Sequence, residues 1–452
     1  MSKSKMQTLL DSAVAEYVAN NPCSRDMSEQ AKESLPGGNT RTGAYMHPFP
    51  VYIDRGEGTY LVDLDGHHLL DFVNNNTALI LGHAHPAIVD ALQVRVAQGT
   101  GFSRPTALEV EMAELLRERM PSLERIRFCS SGTEAVLNSI RAAKAWTGRR
   151  KVARFEGAYH GVGEYALISY VPPLGAELGP ADRPRSVPSA AGLSPAIVEE
   201  VIVLPFNNVD ACHTIINENA EDLAAVIVDP LGTGAGTTPP IDGFLTQLRE
   251  ITTDVDALLI FDEIITFRVA PGGAQELYGV QPDLTCLAKV IAGGTPGAAF
   301  GGQADIMALY DPTLGPPKIP HSGTYNANPL SMVAGLATLR TMTTQAYKKI
   351  GSLTQKLGVE LSATFAEAGV EAQVTVVGSL FRVHFLPAVP HNYREAAQED
   401  ELMQRWLFFS LLNQGIHWGY GGNVSLPMED SHIEKLISGL GVALQQYSSP
   451  SS

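Results

Sequence analysis

Ala224-Ala-Val-Ile-Val-Asp229, then the helical segment 244–252, then Ala257-Leu-Leu-Ile-Phe261-Asp262 form a strand, helix, strand sequence. Both apolar runs are continuous rather than alternating, as expected of strands buried on both faces of a parallel sheet. Each run closes on an acid, at the strand end where ligands collect in open α/β sheets. The same alternation extends upstream. Residues 125–129 read as a strand, 133–146 as a helix and 151–155 as a strand. The pattern predicts an α/β fold, with a mainly parallel central sheet and helices on both faces.

Flanking segments differ. Residues 6–35 show helical apolar spacing that stops at Pro36-Gly37-Gly38. Residues 51–56 and 59–63 read as short strands, followed by a tight turn at Asp65-Gly66. A helix is expected from about Leu330, a strand over 376–385 and a helix over 402–412. The expected organisation is an N-terminal helix with a small antiparallel segment (1–86), a large α/β domain (87–329) and a smaller α+β domain (330–452).

The chain has 452 residues, 44% hydrophobic and only 18% charged, enough for a large core and more than one domain. Its net charge of −16 argues against non-specific nucleic-acid binding and against docking on an anionic membrane. Four scattered cysteines (Cys23, Cys129, Cys212, Cys286) form no Cys-x-x-Cys pair, so neither a zinc site nor a disulfide framework is expected. Cys129 and Cys286 read as small core residues. No apolar run is long enough to span a bilayer and the first residues are polar, so a cytoplasmic location is expected. The Ser-Ser-Pro-Ser-Ser terminus is expected to fray.

Lys289, in Asp283-Leu-Thr-Cys-Leu-Ala-Lys289-Val-Ile-Ala-Gly-Gly294, would alone pass for a surface lysine. Its neighbours change that reading. A lysine amine can form a Schiff base with an aldehyde cofactor, and a strand-end carboxylate such as Asp262 can keep a pyridine nitrogen protonated. Pyridoxal phosphate (PLP) chemistry requires both groups. Ser130-Ser131-Gly132-Thr133-Glu134 opens a helix after a strand, where backbone N–H groups can cradle a phosphate; it equally fits an ordinary capping box. In Glu156-Gly157-Ala158-Tyr159-His160-Gly161, Tyr159 could stack on a flat ring or pack on the core. In Phe261-Asp262-Glu263-Ile264, Ile264 could cover the opposite ring face. In His321-Ser-Gly-Thr324-Tyr-Asn-Ala-Asn328, Thr324 could donate to a phosphate or merely form a polar turn.

Order and spacing of these segments, with Gly82-His-Ala-His-Pro86 and Gln281-Pro-Asp-Leu-Thr-Cys-Leu-Ala-Lys289, resemble the class III (ω-type) PLP-dependent aminotransferases of fold type I. The resemblance runs from about Pro36 to about Leu426. Within the family, Pro36-Gly-Gly-Asn-Thr-Arg41, Pro48-Phe-Pro50, Arg55-Gly-Glu-Gly58, Thr147-Gly-Arg-Arg-Lys151, His321-Ser-Gly-Thr324 and Leu407-Phe-Phe-Ser-Leu-Leu412 look most like the branch of glutamate-1-semialdehyde aminomutase and the β-phenylalanine aminotransferases.

The resemblance implies PLP bound to Lys289, with Asp262 on the ring nitrogen. It places Ser131, Gly132 and Thr133 on the phosphate, and Tyr159 and Ile264 on the two ring faces. Thr324 would reach the cofactor of a neighbouring subunit, which implies a homodimer with shared active sites. Arg41 would anchor a substrate carboxylate. The β-phenylalanine aminotransferases carry a second arginine near the C-terminus for the carboxylate of the keto acceptor; His417-Trp-Gly-Tyr-Gly421-Gly-Asn-Val-Ser-Leu426 has none, which passes that contact to Tyr420, Asn423 or backbone groups, unless Arg382 serves. Asp229 is expected to have no catalytic part, and the loop 163–188 to contribute to a lid. The implied activity is transfer of an amino group from a β-amino acid, aromatic or not, or a related amine to a keto acid. An aminomutase of the glutamate-1-semialdehyde type and an amino-acid racemase or epimerase are the alternatives, and no metal is expected.

Overall fold

A computed structural model describes residues 3–448. The rest of the terminal Ser-Ser-Pro-Ser-Ser beyond Ser448 lies outside the described residues. The chain divides into two compact units, one of residues 1–85, 348–389 and 399–452, the other of 86–347 and 390–398. The expected 1–86 segment and most of the expected 330–452 domain thus share one unit. The helix Pro329–Thr341 belongs to the other, where it packs on the helix Pro86–Val96.

The larger unit is built on a seven-stranded sheet. Its order is Arg125–Cys129, Ala298–Gly302, Leu284–Leu287, Leu258–Asp262, Leu223–Val228, Lys151–Phe155, Val201–Leu204. The sheet is mainly parallel, as expected, but Ala298–Gly302 runs antiparallel to both its neighbours. That strand, with Val201–Leu204 and Leu284–Leu287, was not foreseen from the sequence. Alternate residues serve opposite faces. Ala225 and Ile227 pack with Ile260, Cys286 and Phe300 beneath Ala135, Val136 and Ile140 of the helix Gly132–Thr147. Val226 and Val228 pack with Phe155, Leu259 and Phe261 against Phe244, Leu248 and Ile251 of the helix Phe244–Asp254. Every residue of Leu223–Val228 is buried, which accounts for its unbroken apolar run.

The other unit holds two smaller sheets. Ile53–Glu57 and Tyr60–Asp63 form the expected antiparallel pair, extended by His68–Asp71 and, in parallel, by Ile416–His417. The single strand expected over 376–385 is instead a hairpin, Gln373–Val377 with Leu380–His384, and Gly421–Asn423 pairs on its far edge. The helix expected over 6–35 is two helices, Lys3–Asn20 and Pro22–Lys32. Pro22 has no N–H for a continuing helix and suits the first turn of a new one. Among the described residues no helix is long and apolar enough to cross a membrane.

Candidate active site

Lys289 follows the buried strand Leu284–Leu287, and its backbone is left-handed at φ 53°. A non-glycine residue seldom holds that conformation, and such strain concentrates at functional sites. Asp262 ends the neighbouring parallel strand and pairs in register with Cys286. Sheet geometry therefore sets the carboxylate one strand across from the lysine. Burial is the main reason the Lys289 amine lies below the ordinary lysine value. The Asp262 and Asp229 carboxylates oppose this, and the buried Arg268 guanidinium reinforces it.

Asp262 is buried and held on both oxygens. His160 Nδ1 lies 2.7 Å from Oδ2, and the Ile264 N–H donates to Oδ1 at 3.2 Å. A carboxylate oxygen can only accept, so His160 carries its proton on Nδ1 in this contact. His160 Nε2 is buried without a hydrogen-bond partner among the described residues. Sequence reasoning quoted His160 within its motif but gave it no role. The adjoining acids are structural. Glu263 accepts from the N–H groups of Ala274 and Gln275 at 2.8 and 2.9 Å and from Thr266 Oγ1. Asp229 folds its own turn by accepting from the N–H groups of Leu231 and Thr233.

The helix Gly132–Thr147 starts at an N-cap, Ser131, whose Oγ accepts from Glu134 N at 3.3 Å. Glu134 reaches back to the Ser130 N–H at 2.8 Å. Both readings of this segment therefore coexist. The cap satisfies Glu134, while the helix itself supplies no acceptor for the N–H groups of Gly132 and Thr133. The positive end of the helix dipole lies there. A Cβ on Gly132 would come within 2.6 Å of Ile264 Cδ1, and one on Gly161 within 2.5 Å of Thr133 Oγ1. Glycine at both positions lets Ile264 and the Gly157–Gly161 loop close around the helix start. Donors, dipole, buried carboxylate and amine fit a phosphorylated pyridine aldehyde.

Tyr159 is exposed beside Tyr170, with ring centroids 5.2 Å apart. The loop it occupies is pinned from below. Arg394 grips the buried Glu156 through two bonds of 2.7 and 2.9 Å and donates to the carbonyls of Leu178 and Gly179. The 163–188 loop, expected to contribute to a lid, is fastened by this contact and by the Ser169–Val187 and Arg185–Leu178 backbone bonds. Thr324 is exposed and makes no hydrogen bond among the described residues. It is not joined to the Ser131–Thr133 segment of its own chain.

These features are those of one family, and a model of the class III aminotransferases matches residues 42–434. The chain belongs to the class III aminotransferases. It is a PLP-dependent transaminase by family and fold. Glutamate-1-semialdehyde 2,1-aminomutase 1 of Listeria welshimeri is 39% identical over 413 residues, covering 90% of this chain and 94% of the relative. β-Phenylalanine transaminase of Variovorax paradoxus is 37% identical over 444 residues, covering 98% and 97%. The crystal structure of an ω-transaminase from Sphaerobacter thermophilus superposes with a TM-score of 0.91 at 42% identity, covering 94% of this chain and 98% of that one.

The substrate candidates of the aminotransferase lie in the other unit and are described within it. Arg41 is exposed in the loop after Pro36–Gly38. Its Nη1 donates to Asn75 Oδ1 at 3.2 Å, and its main-chain N–H to Asn39 Oδ1 at 2.9 Å. Among the described residues no carboxylate lies within ion-pair distance of it. Arg382 is the opposite case. Its guanidinium is paired with Glu399 at 2.9 Å, and the same carboxylate is shared with His384 at 2.7 Å and with Gln404. Its charge is spent within the protein. Tyr420 has a left-handed backbone, φ 63°, and its ring sits 5.8 Å from the Arg382 guanidinium. Asn423 is buried and turned inward, donating to the carbonyls of Phe72 and Val73, and is removed from the set of substrate contacts.

Proposed function

We propose that this aminotransferase moves an amino group from a β-amino acid, the aromatic ones included, to a keto-acid acceptor. The observation that carries the reading is Arg41. Its guanidinium is exposed, donates to the neutral amide of Asn75 and is unpaired with any carboxylate among the described residues, which suits bidentate binding of a substrate carboxylate. The similarity to a β-phenylalanine transaminase over nearly the whole chain supports it.

Bound PLP supplies an aldehyde and an electron-poor ring that can take up charge from a donor carbon. The remaining work falls to the chain. Lys289 Nζ, whose burial favours the neutral amine, would provide the lone pair that attaches the cofactor and accept the proton leaving the amine-bearing carbon. Asp262, fixed by His160 and Ile264, holds a negative charge where a ring nitrogen must stay protonated. Gly132 and Thr133 N–H groups with Ser131 hold the phosphate, and Tyr159 and Ile264 confine the ring. In this reading Arg41 orients the donor by its carboxylate, and Tyr420 is a further candidate substrate contact.

Thr324 serves the neighbouring subunit in this reading, which makes the working unit a homodimer. Its exposure supports this, as do the bare apolar side chains of Tyr325 (70% exposed) and Leu314 (75%) on the same segment. A cytoplasmic location accompanies the reading, since the four free cysteines suit a reducing compartment.

A second reading, intramolecular amino transfer, is favoured by the aminomutase relative at 39% identity. Multiple turnovers of 3-amino-3-phenylpropanoate that require pyruvate or 2-oxoglutarate support the transferase. No turnover of this donor with either keto acid, together with isomerisation of glutamate 1-semialdehyde in the absence of one, overturns it in favour of the mutase. Incubating one donor enantiomer in deuterated water covers the racemase alternative, which alone gives inversion with label uptake.

A further inference from the structure

In the unit that carries Arg41, four consecutive residues adopt left-handed backbone: Asn74, Asn75, Asn76 and Thr77, with φ of 48°, 49°, 52° and 73°. L-residues visit this region singly, asparagine most readily, and almost never in series. The turn is braced from the inside. Buried Asn74 donates through Nδ2 to the Asn423 carbonyl at 3.0 Å, and Asn423 Nδ2 donates to the carbonyls of Phe72 and Val73 at 3.1 and 3.0 Å. The backbone closes on itself through Ala78 N to Asn75 O and Leu79 N to Asn74 O. Asn75 stands exposed at the crest, and its Oδ1 takes the Nη1 proton of Arg41.

The chemistry of that acceptor matters. An aspartate at the same place would hold the guanidinium more tightly but would neutralise it and compete with any incoming anion. An amide oxygen directs the guanidinium and leaves its charge unspent, as Asn39 does at the Arg41 main chain. Arg382, tied to Glu399, shows the alternative within the same unit.

We propose that Asn75 is a positioning residue for Arg41, and that the left-handed turn serves to present its amide there. Asn75 thereby sets the preference for donors that bear a carboxylate. The inference rests on the reading of Arg41 as the carboxylate anchor.

Three variants of the holoenzyme test it: Asn75→Asp, Asn75→Gly and Arg41→Ala. Asn75→Gly keeps a residue at ease with positive φ and removes only the amide. KM and kcat are measured for 3-amino-3-phenylpropanoate and for 1-phenylethylamine, which lacks the carboxylate. The inhibition constant of 3-phenylpropanoate is measured alongside. Asn75→Asp is expected to raise the KM of the amino acid and the inhibition constant about tenfold, the scale of one charge-assisted contact. Asn75→Gly should raise both by a smaller factor. Neither should alter kcat or the kinetics of 1-phenylethylamine. If Arg41→Ala weakens the carboxylate ligands and both Asn75 variants leave them unchanged, the positioning role is overturned and the anchor stands. If the Asn75 variants impair both donors alike, the turn is merely structural and the inference is overturned. If Arg41→Ala itself leaves carboxylate ligands unaffected, the anchor reading fails and takes this inference with it.

Discussion

Lys289 and Arg41 are both cations assigned to ligand binding, yet the protein treats them in opposite ways. Lys289 sits at the end of a buried strand, where burial and the Arg268 guanidinium push its amine below the ordinary value. Its neighbours are set by sheet register, with Asp262 one strand away and locked to His160. Arg41 sits in an exposed loop, where the Asn75 amide receives its guanidinium and the Asn39 amide its main-chain N–H. A base must be able to lose its proton, so desolvation helps it. A carboxylate anchor must keep its proton, so solvent and neutral partners help it. The contrast between the two regions is a contrast between two chemical tasks.

Breaking the buried region is expected to cost most. Lys289→Ala should lower turnover by at least about 10⁴-fold, because both attachment and proton transfer reside in one amine. Hydride reduction followed by mass measurement of the chain should then find no cofactor adduct. An adduct on another lysine would displace the assignment. Asp262→Asn removes the preorganised charge and should lower kcat by roughly 10²–10³-fold, the scale of losing one such electrostatic partner. Near-normal kcat in that variant would mean the ring nitrogen is served by another group.

The exposed region should give smaller and more selective effects. Arg41→Ala should raise the KM of carboxylate donors by about 10–100-fold while sparing simple amines, from a loss of roughly 1.5–3 kcal/mol. Tyr420→Phe should change kcat/KM by at most about tenfold, the worth of one ordinary hydrogen bond. A larger loss would make Tyr420 a principal contact.

The smallest test probes the tuning itself. Attachment of PLP needs a neutral amine, so its rate should rise with pH as Lys289 deprotonates. Removing the buried cation in Arg268→Met takes away a charge that lowers the Lys289 pKa, so the rising limb should move to higher pH. Arg268→Lys should restore it. A limb that stays in place in Arg268→Met leaves burial as the sole source of the shift. The same linkage acts on folding. A depressed lysine pKa means the unfolded chain binds more protons between the folded and ordinary values. Stability of the cofactor-free protein therefore rises with pH through that window.

Much of the buried region could be read along the chain. The runs ending at Asp229 and Asp262 announce strand ends by their apolar composition, whereas the short strand Leu284–Leu287 before Lys289 does not. His160 went unassigned because its partner, Asp262, lies 102 residues away and no local pattern joins them. The strand Ala298–Gly302 has a sequence, Ala-Ala-Phe-Gly-Gly, with little β preference of its own; its two neighbours impose the conformation. The hairpin at 373–384 merged into one strand because only Gly378 and Ser379 separate two apolar runs. The break at Pro22 is legible in the sequence: a proline cannot donate within a helix, and the helix beyond it buries Ser24 and Ser28 rather than apolar residues.

Periodicity and turn residues are properties of short stretches, and they sufficed for an α/β fold; the order of the motifs sufficed for the resemblance to a PLP-dependent family. Which charges are spent is a different kind of property. Arg41 and Arg382 are chemically identical in the sequence. One remains available and the other is neutralised because folding places an amide beside the first and Glu399 beside the second. The left-handed turn at Asn74–Thr77 likewise holds only with support from Asn423, about 350 residues on. Electrostatic pairing depends on distances of a few ångströms between groups remote along the chain, and only the folded arrangement fixes those distances.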